Sequence, residues 1–248
     1  MTMQDSPLYR KIKEIKNFDH ISDKTAWYSV KIHGANMCFE YSRTEPGDTD
    51  QGTWKKYSRN REITAAVDGE YFHGVSSYIA PIVHQLYRHM ETAYSFKDVK
   101  CVRLYGELFG AKIQSGIHYE APEGWFDLVK EVHTDSKILN RFHCIYFKVF
   151  DVAVDSMLLD QSVLQTIRSA PSMSKYKDMI VESILMPSAT ADDVHTAIKT
   201  LTGYEPIDGS YKHVKNCEGV VIKQVAPKLK MSKDGARYHK IIFPQFAE

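Results

Sequence analysis

One lysine-glycine segment, KIHGAN at residues 31–36, constrains this chain more than any other feature. It lies between two strand-like runs, AWYSV at residues 26–30 and MCFEY at residues 37–41. Glycine lets the backbone approach a neighbour or a ligand closely, so a lysine at such a strand end can be held against a phosphate. The alternative is a surface lysine before a hairpin turn, and the downstream residues decide between the two.

Length and composition indicate one intracellular domain. No shift in composition divides the 248 residues, so we expect a single domain over residues 1–248. No stretch approaches the ~20 apolar residues of a membrane span, and residues 1–16 lack the apolar region of a secretory signal. We therefore expect a soluble, cytoplasmic protein with no membrane partner. Because the net charge is only +1, any phosphate-binding surface must be a local cluster.

The spacing of the cysteines also indicates an intracellular protein. Cys38, Cys101, Cys144 and Cys217 are widely spaced, and three of them lie in apolar, strand-like runs. The chain has no Cys-x-x-Cys pair. This spacing predicts buried free thiols in a reducing compartment rather than disulfides or a zinc site.

Hydrophobic periodicity predicts an α+β fold of mostly antiparallel sheets with helices on their outer faces. Strand-like runs cover residues 26–30, 37–41, 99–108, 143–154, 178–186, 219–223 and 238–243. Helical patterns cover residues 79–90, a segment that starts near Asp160, and a segment capped by Thr190 that ends at Gly203. Residues 45–53 predict a polar loop, and the basic residues 56–60 predict another loop.

Two apolar segments contain a residue that suits a ligand site. Glu107, beside Gly106, is costly to bury unless it binds something. The alternative is a glutamate on an edge strand, paired with a nearby Arg or Lys. Phe150, in the segment FKVFD, can offer its ring face to a purine, and the alternative is a core phenylalanine.

Three cationic or acidic positions follow in strand-like surroundings. Glu218 and Lys223 are five residues apart, so a straight strand places them on opposite faces. They share one site only if the backbone turns or bulges at Glu218 and Gly219; otherwise they mark the two ends of a surface strand. Lys240 lies in the last strand-like run, where an isolated lysine would usually extend to the surface.

The order and spacing of these segments resemble the motif series of the covalent nucleotidyltransferase superfamily. That superfamily contains ATP-dependent DNA ligases, RNA ligases and mRNA capping enzymes. His33 stands where DNA ligases and capping enzymes commonly have Asp, and GELFGAKIQ at residues 106–114 is similar to the phage-type RNA ligase 2 family. The resemblance spans residues 26–246. It implies the DNA/RNA-ligase-type nucleotidyltransferase fold, unrelated to ATP-grasp, with antiparallel sheets flanked by helices.

The resemblance implies roles for the residues of the lysine segment. Lys31 would be the nucleophile that takes AMP, and Ile32 beside it would help to bind the nucleotide. His33 would assist the chemistry after adenylylation. Asn36 would lie near the transferred or attacking phosphate. A lysine attacks only when neutral, and nearby cations disfavour its charged form.

The same resemblance assigns the downstream residues. Arg59 and Glu107 would hold the ribose, and Phe150 would stack on the adenine.

Glu218, Lys223 and Lys240 would bind phosphates and metal, with Glu218 as the metal ligand and the two lysines as catalytic cations. The implied cofactors are ATP as the AMP donor and Mg²⁺ or Mn²⁺, since magnesium binds phosphate oxygens and keeps several waters.

The chain departs from the family pattern at two places. The last motif usually has two lysines separated by one residue, whereas here Lys240 is followed by Ile242. Either Lys240 suffices or a lysine of the preceding segment substitutes: Lys228, Lys230 or Lys233. The chain also ends at Glu248, so we expect neither a C-terminal RNA-binding domain nor an OB domain, and a separate RNA-binding protein could take that place.

The resemblance thus implies an ATP-dependent RNA ligase of RNA repair, with RNA 5′-phosphate and 3′-hydroxyl ends as its partners. AMP would pass from Lys31 to the 5′-phosphate, and the 3′-hydroxyl would then displace it. Within the superfamily the alternatives are a DNA ligase and a capping guanylyltransferase, against which His33 and the lack of an OB domain argue. Outside it, the alternative is a non-sealing module that binds a nucleotide or an RNA end.

Overall fold

The computed structural model of the protein describes residues 12–14, 25–44, 52–71, 73–96, 98–110, 113, 119–155, 157–188, 190–203, 217–225 and 238–242. In chain order its strands are β1 (Lys13–Glu14), β2 (Ala26–Lys31), β3 (Ala35–Ser42), β4 (Thr53–Ser58), β5 (Cys101–Gly110), β6 (Ile145–Val154), β7 (Met157–Leu158), β8 (Ser183–Met186), β9 (Gly219–Gln224) and β10 (Tyr238–Ile242). Its helices are α1 (Ala65–Tyr71), α2 (Val75–Ala93), α3 (Trp125–Val132), α4 (Ser136–Phe142), α5 (Gln161–Ser169) and α6 (Ala191–Thr202).

The strands form two five-stranded sheets. Sheet 1 has the order β1-β10-β9-β2-β8, and sheet 2 has the order β4-β3-β5-β6-β7. The neighbouring strands are antiparallel, except that β1 and β10 run parallel. The predicted α+β architecture of mostly antiparallel sheets is confirmed.

Sheet 1 has a small apolar core under α6. Alternate residues of β2, among them Ala26 and Tyr28, are fully buried against this helix. Thr190 and Asp193 form a reciprocal capping box at the start of α6, and the helix ends at Gly203 with a positive φ. The predicted cap and end of this helix are confirmed.

Sheet 2 carries the larger core. Its outer face packs on α2, where apolar side chains recur at helical spacing from Val75 to Met90. Met37 and Phe39 of β3 point into this core and are fully buried. The opposite face of sheet 2 looks toward sheet 1, which leaves room for polar groups between the two sheets.

Two local predictions are wrong. The run 178–186 is not one strand, because Lys177–Met179 forms a 3-10 turn and only Ser183–Met186 pairs with sheet 1. Arg168 holds this turn by donating to the Ile180 carbonyl oxygen at 3.3 Å. Residues 56–58 belong to β4 rather than to a loop. An edge strand tolerates lysines because one side of it stays in solvent.

Other expectations are met in part or lie outside the described residues. The polar loop predicted at residues 45–53 falls mostly in a segment outside the described residues. Cys38 and Cys217 are buried free thiols, whereas Cys101 and Cys144 are half-buried. None of the described helices is both long and apolar enough to cross a membrane.

Candidate active site

A cavity of about 380 Å³ lies where the two sheets face each other. This volume is within the range of small-molecule sites. All ten residues that the sequence analysis selected line this cavity: Lys31, Ile32, His33, Asn36, Arg59, Glu107, Phe150, Glu218, Lys223 and Lys240. The fold therefore brings together segments that are far apart in the chain, while the chemical role of each residue stays a prediction.

The backbone after Lys31 is held close to both sheets. Lys31 is the last residue of β2, and its carbonyl oxygen accepts a hydrogen bond from the Glu218 backbone N–H at 2.7 Å. Gly34 lies so near to β5 that a Cβ there would be 2.2 Å from the Leu108 carbonyl oxygen. The glycine of the KIHGAN segment is thus required by the close approach of two strands.

Glu218 is the centre of a charged cluster. Its carboxylate forms an ion pair with the Lys31 Nζ, and its Oε2 lies 3.0 Å from the His33 Nδ1. The same oxygen atom, Oε2, contacts both nitrogens, and an ionised carboxylate can act only as a hydrogen-bond acceptor. This arrangement fixes the ends of the Lys31 and His33 side chains beside each other.

The spacing of Glu218 and Lys223 is explained by the backbone. Glu218 precedes β9 and lies in a bend, so the alternation of a straight strand does not apply to it. At Gly219 a Cβ would lie 1.8 Å from the Ile241 carbonyl oxygen, so only glycine permits this close approach to β10. The predicted turn at Glu218 and Gly219 is confirmed, and both charged side chains line the same cavity.

Asn36 and Glu107 pair across β3 and β5 in the opposite wall. Burial raises the pKa of Glu107 to about 7, against a smaller opposing effect of the Lys31 and Arg59 charges. The strand β5 lies between β3 and β6, so the alternative of an edge-strand glutamate is wrong. Asn36 is buried, and its Oδ1 has no hydrogen-bond partner among the described residues. Since an unsatisfied buried acceptor costs free energy, this oxygen indicates a position for a ligand donor.

Phe150 occupies an irregular position of β6. Tyr105 pairs with Asp151 and Gly106 pairs with Val149, so Phe150 is the extra residue of a bulge. Bulges turn a side chain away from its regular direction. Phe150 is half-buried, packs against the apolar core and also lines the cavity, so its stacking on a purine stays a prediction.

Arg59 and Lys240 line the cavity with different exposure to solvent. Arg59 follows the end of β4 and is exposed. Lys240 is half-buried on β10 and is paired with Val221 of β9. The three lysines proposed as substitutes for the missing second lysine fall outside the described residues.

Lys223 differs from the other lysines of the cavity. Its buried Nζ donates to Asp151 Oδ1 at 2.7 Å, to the Phe150 carbonyl oxygen at 2.7 Å and to Gln161 Oε1 at 3.0 Å. A protonated lysine has three donors, and here each has an acceptor. These contacts join β9 of sheet 1 to β6 of sheet 2, so Lys223 links the two sheets. The predicted contact of Lys223 with phosphate stays a prediction.

Several residues around the cavity were not found from the sequence. Ser29 and Val221 line it two residues from Lys31 and Lys223, so strand alternation was an available signal. Val181 lines it too, held in place because its backbone N–H donates to the Val149 carbonyl oxygen at 2.8 Å. No local pattern marks that position.

The donor set is compatible with a magnesium ion that is bound mainly through a substrate. The described residues contain no group of three or more His, Cys, Asp or Glu side chains that could hold a metal ion. Magnesium usually takes one or two carboxylates together with phosphate oxygens and waters. The Glu218 carboxylate, which lines the cavity, supplies a ligand of that kind.

A comparison with protein-family models gives a match over most of this chain. The model described as RNA ligase matches residues 24–242. A search of curated proteins gave no significant match.

Solved structures of a Naegleria gruberi RNA ligase have a similar fold. A complex with PPi has 16% sequence identity and a TM-score of 0.52, and the match covers 99% of this chain and 58% of that chain. A mutant with AMP and Mn has 15% identity and a TM-score of 0.54, with the same coverage of 99% and 58%. A mutant with ATP and Mn has 16% identity and a TM-score of 0.51, covering 97% and 58%. The present chain thus spans a little over half of the Naegleria chains, and at this identity the likeness establishes the fold.

Proposed function

The chain belongs to the RNA ligase family, and from this premise we propose that it is an ATP-dependent RNA ligase that works through a covalent lysyl-AMP. One observation carries the proposal: the ten residues selected from the sequence meet in one cavity, with the Lys31 amine beside Glu218. We propose residues 1–248 as a single adenylyltransferase domain. The Naegleria complexes contain ATP or AMP with Mn, which supports a nucleotide and a divalent metal as cofactors here.

In the first step, the Lys31 ammonium loses a proton, and the lone pair of the neutral Nζ attacks the α-phosphorus of ATP. A nitrogen–phosphorus bond forms, the bond from the α-phosphorus to the bridging oxygen breaks, and pyrophosphate leaves. The Glu218 carboxylate, which contacts this nitrogen, is within reach of the departing proton. Bound magnesium would be held by Glu218 and would neutralise phosphate charge.

The opposite wall positions the nucleotide. Phe150 stacks on the adenine, Glu107 and Arg59 bind the ribose, and Lys240 neutralises phosphate charge. Phosphoryl transfer depends mainly on positioning and charge stabilisation, which matches a cavity with an aromatic ring on one sheet and lysines on the other.

In the second step, an oxygen of the RNA 5′-phosphate attacks the phosphorus of the lysyl-AMP. The nitrogen–phosphorus bond breaks, Lys31 regains its amine, and His33 beside it assists this exchange. In the third step, the RNA 3′-hydroxyl attacks the 5′-phosphorus, a phosphodiester bond forms, and AMP leaves. RNA 5′-phosphate and 3′-hydroxyl ends are therefore the proposed substrates, and a separate RNA-binding protein is a proposed partner.

Intact mass spectrometry after incubation with magnesium and either ATP or GTP tests the proposal. We expect one AMP per chain with ATP, no adduct in Lys31→Ala, and an unchanged adduct in Lys137→Ala, where an exposed lysine of α4 is removed. An adduct with GTP alone would indicate a guanylyltransferase. No adduct with either nucleotide would leave a binding module.

Sealing assays then test the substrate. We expect wild-type protein to join nicked RNA duplexes in preference to nicked DNA duplexes. Preference for DNA would contradict the assignment to RNA, even if the lysyl-AMP forms.

A further inference from the structure

The segment that carries the nucleophile, residues 31–34, is called the lysine loop here. It is fixed at its start by the hydrogen bond from the Glu218 N–H to the Lys31 carbonyl oxygen, and at its end by the packing of Gly34 on β5. Between these points the backbone N–H of His33 needs a separate partner. That partner comes from a residue outside all the motif segments.

Tyr119 supplies this partner. Its hydroxyl oxygen accepts a hydrogen bond from the His33 N–H at 2.7 Å. Its half-buried ring lies edge-on to Phe109 of β5, with 5.0 Å between the ring centroids. The ring is therefore anchored on sheet 2, while the hydroxyl reaches the lysine loop that leaves sheet 1.

The hydroxyl stays neutral at ordinary pH. Burial raises the pKa of Tyr119 by more than the hydrogen bond from the His33 N–H lowers it, and the nearby Cys217, Glu218 and Glu107 raise it further. A neutral hydroxyl can accept the His33 N–H through a lone pair and still keep its own proton. The contact is thus available at ordinary pH.

We infer that Tyr119 is a positioning residue for adenylylation: its hydroxyl holds the His33 backbone so that the Lys31 amine points along the line of attack. The inference rests on the proposed function, since it concerns the step in which Lys31 takes AMP. His33 is attached at both its backbone, to Tyr119, and its ring, to Glu218. Loss of the backbone contact removes one of the attachments that fix the middle of the lysine loop.

We expect loss of the Tyr119 contact to lower the rate of lysyl-AMP formation rather than the affinity for the nucleotide. Tyr119 is not among the residues that line the cavity, whereas the residues proposed to bind adenine and ribose are. A small displacement of a nucleophile lowers the rate steeply, because productive attack requires close and aligned atoms. The ATP concentration for half-saturation should therefore change little.

Single-turnover formation of the lysyl-AMP in Tyr119→Phe tests this inference. The variant keeps the ring on Phe109 and removes only the oxygen. We expect the rate at saturating ATP to fall about tenfold, the scale of losing one buried hydrogen-bond acceptor, with less than about a twofold change in half-saturating ATP. Tyr146→Phe is the matched control, because its ring also packs on Phe109, with centroids 5.6 Å apart.

Hydrogen exchange of the lysine-loop amides gives a readout that does not depend on activity. Exchange should become faster in Tyr119→Phe and stay unchanged in Tyr146→Phe. A wild-type rate and wild-type loop exchange in Tyr119→Phe would overturn the inference while leaving the ligase proposal intact. Equal losses of rate and thermal stability in both variants would reduce Tyr119 to a packing role. Failure of the wild-type protein to form any adduct would instead overturn the proposed function, and adenylylation positioning with it.

Discussion

The two walls of the cavity differ in what supports them. Sheet 1 presents Lys31, Lys223 and Lys240 and is backed by the small core under α6. Sheet 2 presents Asn36, Glu107 and Phe150 and is backed by the large core that includes α2. Local stability rises with buried apolar contacts. The groups proposed to bind the nucleoside thus lie on the sheet with the larger core. The groups proposed to react lie at strand ends of the sheet with the smaller core.

The Lys223 contact is the link whose loss should have the largest effect on this arrangement. Lys223→Met should lower the free energy of unfolding by roughly 3–5 kcal/mol, because it leaves the buried Asp151 carboxylate without its cation. Urea denaturation at neutral pH measures the change. Lys175→Met is the matched control, since it removes an exposed ion pair with Glu131 and should change stability little.

If Lys223→Met lowers the free energy of unfolding as little as the control does, the two sheets are held together without the buried pair of Lys223 and Asp151. The Lys223→Met and Asp151→Leu double variant sharpens the test further. It should be less destabilised than the sum of the two single variants, because no unpaired charge stays buried.

Gly34→Ala tests whether the loop between the walls depends on close packing. The added Cβ would lie 2.2 Å from the Leu108 carbonyl oxygen, so the lysine loop must shift. A shift of about 1 Å can lower a rate by roughly a hundredfold, and we expect a loss of that size in lysyl-AMP formation. Gly69→Ala in α1 is the control, because nothing lies within 4 Å of its added Cβ. Equal rates in the two variants would contradict the proposed role of the packing.

Phe150→Ala tests the contribution of sheet 2 to nucleotide binding. Stacking of a base on an aromatic ring is worth ~1–3 kcal/mol, so half-saturating ATP should rise about tenfold. Phe126→Ala removes a ring that is 46% exposed on α3 and should leave ATP binding unchanged. Calorimetric titration with ATP compares the two. An unchanged affinity in Phe150→Ala would assign adenine binding to another part of the cavity.

The buried Glu107 carboxyl gives an effect of a different kind, a dependence of stability on pH. Burial raises the pKa of this carboxyl from 4.5 to about 7, so the folded protein holds the proton more tightly than the unfolded chain does. The contribution of the Glu107 carboxyl to the free energy of unfolding is therefore full below about pH 4.5 and is lost as the pH rises to about 7.

Glu107→Gln has no such titration. The difference in unfolding free energy between wild type and Glu107→Gln should change within that window and be flat outside it. Glu70→Gln, which removes an exposed carboxyl of α1, is the matched control. A flat difference for Glu107→Gln would show that the carboxyl is better solvated than the structure indicates.

Strongly periodic segments were predictable, and segments with tertiary partners were not. The apolar spacing of α2 and the cap of α6 are local signals, and both elements form as expected. Residues 178–180 have a strand-like composition, yet they turn because Arg168 of α5 binds the Ile180 carbonyl and Met179 enters the core. No pattern within the segment contains that information.

The candidate site shows the same division. Ten lining residues followed from motif order, whereas Tyr119 and the acceptors of Lys223 did not. Asp151 was visible next to Phe150, but nothing in the sequence shows that it receives the ammonium of a lysine 72 residues later. A hydrogen bond between distant residues leaves no periodic trace in either segment.

By itself, the sequence determined the kind of fold, the nucleophile candidate and the types of side chain around it. Alternation and helical spacing set these because each element must bury one face. Only the tertiary structure decided that Glu218 holds both Lys31 and His33, that Lys223 joins the two sheets, and that Tyr119 supports the lysine loop. Such partners depend on the distance and direction between strands, which are set by packing of the whole chain. The lysine-glycine segment therefore indicated the proposed reacting group, and the packing of two unequal sheets decided how that group is held.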